Sequence, residues 1–312
     1  MTQALTRARS APAARRVRSA QRAGEGRAAL VMLAPWIIGI AVLTIGPMLT
    51  SLYYSFTDYD LLTDPQLVGT ANYRRLLDDP RYLKSLQVTG IYVLTSVPLK
   101  LIVALAVALV LHKSIRGVGL YRAALYVPSL LGSSVAVAIL WRIIFGADGV
   151  FNQVLGVFGV EGRSWVSSPD TALWTLVVLA VWQFGSPMVI FLAALSQVPK
   201  EYYEAASLDG ATRWTQFRRI TLPMITPIVF FNLVLQTVNA FQTFTPSYVV
   251  SGGTGGPSDS TLLYSLYLYL EAFTRLRMGY ASAMAWVLFL IVAVATAILF
   301  ATSKRWVHYS ND

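Results

Sequence analysis

The sequence predicts an all-α membrane protein with six transmembrane helices. Three observations lead there. Hydrophobic residues make up 55% of the 312-residue chain and charged residues only 13%, about half the charged share of a soluble domain. Six apolar runs have the length, about 20 residues, that carries a helix across a bilayer. The cations between the runs sort by side, as they do in multi-pass membrane proteins.

The elements follow in order. Residues 1–27 form a basic tail with seven arginines, Arg7 to Arg27. A basic tail ahead of an apolar run reads as a cytoplasmic anchor near anionic lipid, not as a nucleic-acid site. Residues 28–312 form one membrane domain. Its predicted spans are Ala28–Tyr53, Leu86–His112, Leu120–Phe145, Ala172–Leu195, Met224–Val250 and Ala281–Thr302. The first is too long for a secretory signal and ends at no small-x-small cleavage site. With the tail, sixteen cations fall on one side and seven on the other. Both termini are therefore expected in the cytoplasm of a cytoplasmic-membrane protein. The run "SGGTGGPSDS" after the fifth span lacks the Lys-Ser or Lys-Thr of a phosphate-binding loop, so it is expected to be a flexible outer turn.

Cysteines are absent and the two histidines, His112 and His308, stand alone. Disulfides, thiolate sites and histidine-rich metal sites are excluded, and no metal is expected.

One cytoplasmic loop breaks the apolar pattern. Pro199 ends the fourth span, Lys200–Leu208 carries good helix formers, and Gly210 permits a sharp turn. Asp209 is placed to cap a second helix, Ala211–Ile220. Pro223 and Pro227 then lead into the fifth span. Glu201, Glu204 and Asp209 precede the turn, whereas Arg213, Arg218 and Arg219 follow it. Ala205 and Ala206 keep one face slim. The residues support two readings: docking into the groove of a partner protein, or an amphipathic helix resting on lipid.

The stretch Glu204–Pro223, "EAASLDGATRWTQFRRITLP", resembles the EAA loop of ABC importer permeases: E-A-A, three residues, G, nine residues, I-x-L-P. Glu204, Ala205, Ala206, Gly210, Ile220, Leu222 and Pro223 fill every position. "LHKSIRGVGLYRAALYVPSL", "FQTFTPSYVVSGGTGGPSDST" and "GYASAMAWVLF" resemble carbohydrate importer permeases of the maltose-transporter type. The resemblance implies the type I ABC importer permease fold, with loop 199–223 as coupling helices that dock on an ATPase. It implies a second homologous permease subunit, two ATPase subunits carrying ATP and Mg, and an extracytoplasmic solute-binding protein. It implies no cofactor on this chain. The outer loop departs from the family's T-x-G-G-P by two extra residues at Ser251–Pro257, which bears on contact with the binding protein.

Lipid cannot satisfy amides, so mid-span polar side chains face a cavity or another helix. Gln236, Asn239 and Thr243 share one helix face, with Gln242 at its edge and Phe241 and Phe244 nearby. Gln183 and Ser186 lie in the fourth span beside Trp182. Amides among aromatic rings suit an uncharged polyhydroxylated ligand such as a sugar. The other reading of these residues is hydrogen bonding between helices of the permease pair. Arg142, with Trp141 and Phe145, fits a membrane-surface belt. Lys100 lies deeper, and three readings are open for it: binding an anionic solute such as glycerol phosphate, marking an ion path, or pairing with a partner subunit. No acidic residue lies inside a predicted span, which argues against an ion-coupled secondary transporter. Neither H-E-x-x-H nor G-x-S-x-G occurs, which argues against an enzyme.

Overall fold

The computed structural model describes residues 31–112, 117–132 and 134–308, so the basic tail lies outside the described residues. The chain divides into two compact units, Met1–Tyr54 and Ser55–Asp312. Among the described residues, five helices are long and apolar enough to cross a membrane, and a bent helix pair makes a sixth if it crosses as one span.

The first is α1, Val31–Ser55, which relaxes into a π-turn at Ala41–Ile45. Leu33, Trp36 and Leu43 on it are exposed, an apolar surface suited to lipid. A short hairpin follows, β1 Thr57–Asp58 antiparallel to β2 Gln66–Leu67, and then α2, Ala71–Asp78.

Helix α3, Pro80–His112, starts six residues before the predicted Leu86. Pro80 occupies the first helical position, where its missing N–H costs nothing. Asp79 caps the end: its Oδ1 accepts from the Arg81 and Tyr82 amides at 2.9 and 3.3 Å.

The third predicted span is not one rod. Val118–Leu131 (α4) and Val135–Ile144 (α5) stand at 97° to each other. Pro128 lies inside α4, which runs on to Leu131, and the bend follows at Gly132. Ser134 then caps a fresh helix, its hydroxyl accepting from the Val137 amide at 3.3 Å. A short helix, α6 Val150–Val157, leads on to the fourth span.

That span is also divided, into α7 Pro169–Trp182 and α8 Gly185–Ser196. Pro187 falls in the first turn of α8, and its ring would clash with the Gln183 carbonyl of a continuous helix. Helix α9, Lys200–Leu208, follows Pro199.

The second helix of loop 199–223 differs from expectation. It is not a separate piece over Ala211–Ile220. Helix α10, Arg213–Gln216, runs through a π-turn at Phe217–Thr221 into α11, Leu222–Phe241. Together they form one 29-residue helix, Arg213–Phe241. The π-turn shifts the hydrogen-bond register ahead of Pro223, which would otherwise crowd the carbonyl four residues back. At its other end the fifth span stops at Phe241 instead of Val250. Pro246 forces the break, and α12, Thr245–Val250, follows it. Helices α13, Tyr264–Tyr269, and α14, Met278–Ser303, complete the order.

Helix α3 is the hub, packed against α7, α8 and α11. Ala104 and Ala108 are fully buried on it, flanked by Leu101 and Leu111, and small residues let helix backbones approach closely. Met188, Phe191, Leu192 and Leu195 of α8 belong to the same core. At the α4–α8 crossing a Cβ on Gly185 would lie 2.7 Å from the Leu125 carbonyl oxygen. Hydrogen bonds add to the packing, each worth about 0.6 kcal/mol on average within a membrane. Trp141 Nε1 donates to the Thr175 carbonyl at 2.9 Å, and the Tyr264 hydroxyl to the Met284 carbonyl at 2.8 Å. Trp141 is thus buried between α5 and α7, stacked on Phe145 and Trp182, rather than set in a surface belt. Arg142 beside it is exposed.

Candidate functional site

The polar residues picked out in the fourth and fifth spans meet around one cavity of about 510 Å³. Such a volume falls within the range of small-molecule sites. Gln183 and Ser186 reach it at a helix break. Gln183 ends α7, and the break frees backbone groups at membrane depth. Ser129 of α4 satisfies them: its hydroxyl donates to the Gln183 carbonyl and accepts from the Ser186 amide, both at 2.9 Å. The Gln183 side chain donates to the Gly132 carbonyl at 3.1 Å. That bond is the interhelical kind, and it leaves the Gln183 side-chain oxygen for the cavity.

Helix α11 supplies Gln236 and Asn239, and the turn after it supplies Gln242, Thr243 and Phe244. Gln236 is buried, whereas Asn239 and Gln242 are exposed to the cavity's open side. Thr243 turns its hydroxyl back to the Asn239 carbonyl at 3.2 Å. Phe241 and Trp182 are not among the lining residues. Phe241 packs into the core, and Trp182 stacks on Trp141.

Sequence reasoning missed Tyr92, Ser96 and Ser129 in this lining. The first two had a signal. Tyr92, Ser96 and Lys100 recur every four residues along α3, so they share a face. Ser129 had none, because a serine beside Pro128 reads as ordinary helix.

Loop 199–223 has a defined geometry. Asp209 does not cap the second helix; it ends α9, and Thr212 is the N-cap, its hydroxyl accepting from the Thr215 amide at 3.3 Å. Two bonds close the end of α9: Gly210 N–H to Ser207 O at 3.1 Å and Ala211 N–H to Ala206 O at 2.9 Å. This is a Schellman ending, and it needs the left-handed backbone that Gly210 adopts at φ +75°. The spacing from Ala206 to Gly210 therefore has a cause: the alanine carbonyl is the acceptor that the turn around the glycine reaches. Gln216 bridges back to Ser207 at 2.9 Å, and the Tyr203 hydroxyl meets that of Thr221 at 2.9 Å. Beyond this bracket the surface is unengaged. Leu208 is 90% exposed and Trp214 68%. Among the described residues, the charges of Glu201, Glu204, Asp209, Arg213, Arg218 and Arg219 form no ion pair.

The segment between α12 and α14 is built differently. It is not a free turn. Ser247 Oγ donates to the Thr261 carbonyl at 2.5 Å, Thr261 Oγ to the Gly256 carbonyl at 2.8 Å, and Leu262 is fully buried. Arg81 binds Asp259 with two hydrogen bonds, at 2.9 and 2.6 Å. Glu271, completely buried, pairs with Arg275 and Arg277. Asp79 accepts from the hydroxyls of Tyr267 and Tyr280 at 2.5 and 2.8 Å. Partial burial pushes the Asp79 carboxyl up, but those hydroxyls and the Tyr82 and Arg81 amides together outweigh it and hold the group below 3.8.

Residues 80–308 match the model of the family described as binding-protein-dependent transport system inner membrane component. The chain is 53% identical to the probable ABC transporter permease protein YesP of Bacillus subtilis, over 91% of this chain and 93% of that one. It is 34% identical to the lactose transport system permease protein LacF of Rhizobium radiobacter, over 88% and 93%. A solved bacterial ABC transporter involved in import of the polysaccharide alginate shares the fold. Its TM-score is 0.72 at 20% identity, covering 92% of this chain and 99% of that one.

Proposed function

Because the chain belongs to the family of inner membrane components of binding-protein-dependent transport systems, we propose that it is the permease subunit through which a carbohydrate crosses the membrane. The family makes it a transport component and not an enzyme, and a multi-pass protein of the inner membrane. In this reading, residues 28–312 are the permease domain, the tail 1–27 and both termini are cytoplasmic, and lipid surrounds the spans. A homologous permease subunit completes a heterodimer. Two ATPase subunits hold ATP and Mg, and an extracytoplasmic binding protein delivers the solute.

One observation carries the solute class. Gln183, Ser186, Gln236, Asn239, Gln242 and Thr243 line a single cavity whose described lining contains no carboxylate. Such a site donates and accepts hydrogen bonds without driving ion coupling, which suits hydroxyl-rich molecules. The lactose permease relative agrees with that class. Loop 199–223 supports the coupling role. Glu204, Ala205, Ala206, Asp209 and Gly210 form the docking turn, and Ile220, Leu222 and Pro223 join it to the fifth span. Alternating access follows: closure of the ATPase pair moves the docked turn, and the spans swing to expose the cavity inward.

The experiment is ATP-driven uptake of a panel of labelled saccharides by proteoliposomes holding the complete importer. Uptake that requires ATP, the binding protein and this chain supports the reading. ATP-dependent uptake of no saccharide overturns it.

A further inference from the structure

Resting on that reading of the cavity as the solute path, we infer that the site takes an anionic solute. The solute is a hydroxyl-rich molecule whose carboxylate or phosphate pairs with the ammonium of Lys100. Lys100 lines the cavity on the same face of α3 as Tyr92 and Ser96. It sits 12 residues before His112 and 20 after Pro80, about 18 and 30 Å from the two helix ends. Neither helix end lies within reach of a lysine stem, and the side chain turns into the cavity. Arg142 contrasts with it, two residues from the end of α5 and exposed.

A cation at that depth is expensive unless something compensates it. Nothing in this chain does. Among the described residues Lys100 makes no ion pair, and no Asp or Glu lines the cavity. The remaining polar side chains of the lining are neutral hydroxyls and amides. These bind sugar hydroxyls and complete the shell of a bound anion, but they do not neutralise a charge. The counter-charge therefore arrives with the solute. The fixed cation also works as a filter, since it repels cations and leaves a neutral glycan with an unpaired charge beside it.

Two chemistries share this requirement, a uronic-acid carboxylate and a phosphate ester. The test uses the complete importer in proteoliposomes. Its probes are a uronic-acid disaccharide, the same disaccharide with its carboxyls reduced to alcohols, and sn-glycerol 3-phosphate. ATP-driven uptake of one anionic probe is expected, falling about tenfold in Lys100→Met and returning in Lys100→Arg. Whichever anionic probe moves identifies the source of the charge. Three results overturn the inference: uptake of the neutral disaccharide in preference to its acidic parent, full uptake of the anionic probe by Lys100→Met, or failure of Lys100→Met to assemble with the second membrane subunit. The last would place the counter-charge on that subunit. Any of the three leaves the carbohydrate reading standing. ATP-driven uptake of none of the probes, nor of any saccharide, removes both.

Discussion

Two segments flank the fifth membrane helix, and they are built to opposite rules. Loop 199–223 bonds mainly to itself. Its charges are unpaired, and Leu208 and Trp214 stand in solvent. Segment 251–277 spends nearly every charge internally: Arg81 with Asp259, and Arg275 and Arg277 with Glu271. Exposed apolar side chains rimmed by unused charge mark a surface awaiting a partner. Paired charge around buried tyrosines marks a surface already holding itself. The difference teaches which of the two segments is left open to further contact and which is closed on itself.

Substitutions in the two segments should therefore differ in kind. The largest effect is expected from Gly210→Pro. Proline cannot adopt the positive φ of that turn, so ATP-driven uptake is lost while the amount of chain in the membrane stays unchanged on immunoblots. Normal uptake would remove the coupling role. Glu204→Lys follows, with a fall of about tenfold, or ~1.4 kcal/mol of association with the ATPase, read from copurification. Retained copurification with full uptake would show that this charge touches no partner. Asn239→Ala acts within the cavity: stimulation of ATPase activity by loaded binding protein should weaken several-fold. An unaltered response across alanine variants of Gln183, Gln236 and Asn239 would count against the cavity.

The network around segment 251–277 should respond in stability instead. Asp79→Ala removes a helix cap, a loss of about 1 kcal/mol, seen as a lower melting temperature of the purified protein. Because the folded-state pKa of Asp79 lies below 3.8, its contribution is fully present above that pH. It is lost as pH falls below 3.8, so the melting temperatures of variant and parent should converge there. Arg81→Leu breaks a half-exposed pair and should cost the least, about 0–1 kcal/mol. A lost import signal with full stability in either variant would invert the comparison.

Hydropathy alone located the spans, because membrane depth tolerates few charges at any position. The breaks were not legible. Pro187 and Pro246 each open a new helix in a run that remains uniformly apolar, whereas α4 runs straight through Pro128, and composition does not say whether a proline bends a helix or ends it. The cavity residues were legible for the same reason that they matter, since Gln183, Gln236 and Asn239 are amides where lipid offers no partner. Asp209 misled because a cap is decided by one residue of register. Thr212 won because the Schellman ending uses up Asp209 and Gly210 first. The outer network escaped notice: Asp79 sits in "LLDDPRY", which reads as a turn, and its tyrosines lie nearly 200 residues away.

The helix from Arg213 to Phe241 is unbroken, and that has a mechanical consequence. At ~1.5 Å per residue it is a lever of roughly 43 Å. One end lies beside the Gly210 turn, and Gln236 and Asn239 lie near the other. A tilt of about 5° about Trp214 displaces those amides, roughly 35 Å away, by about 3 Å without any bond being remade between them. Spin labels at 214 and 239 should keep one separation through the ATP cycle while each moves against α3. A changing separation would mean that the stroke is absorbed along the shaft, at the softened turn Phe217–Thr221.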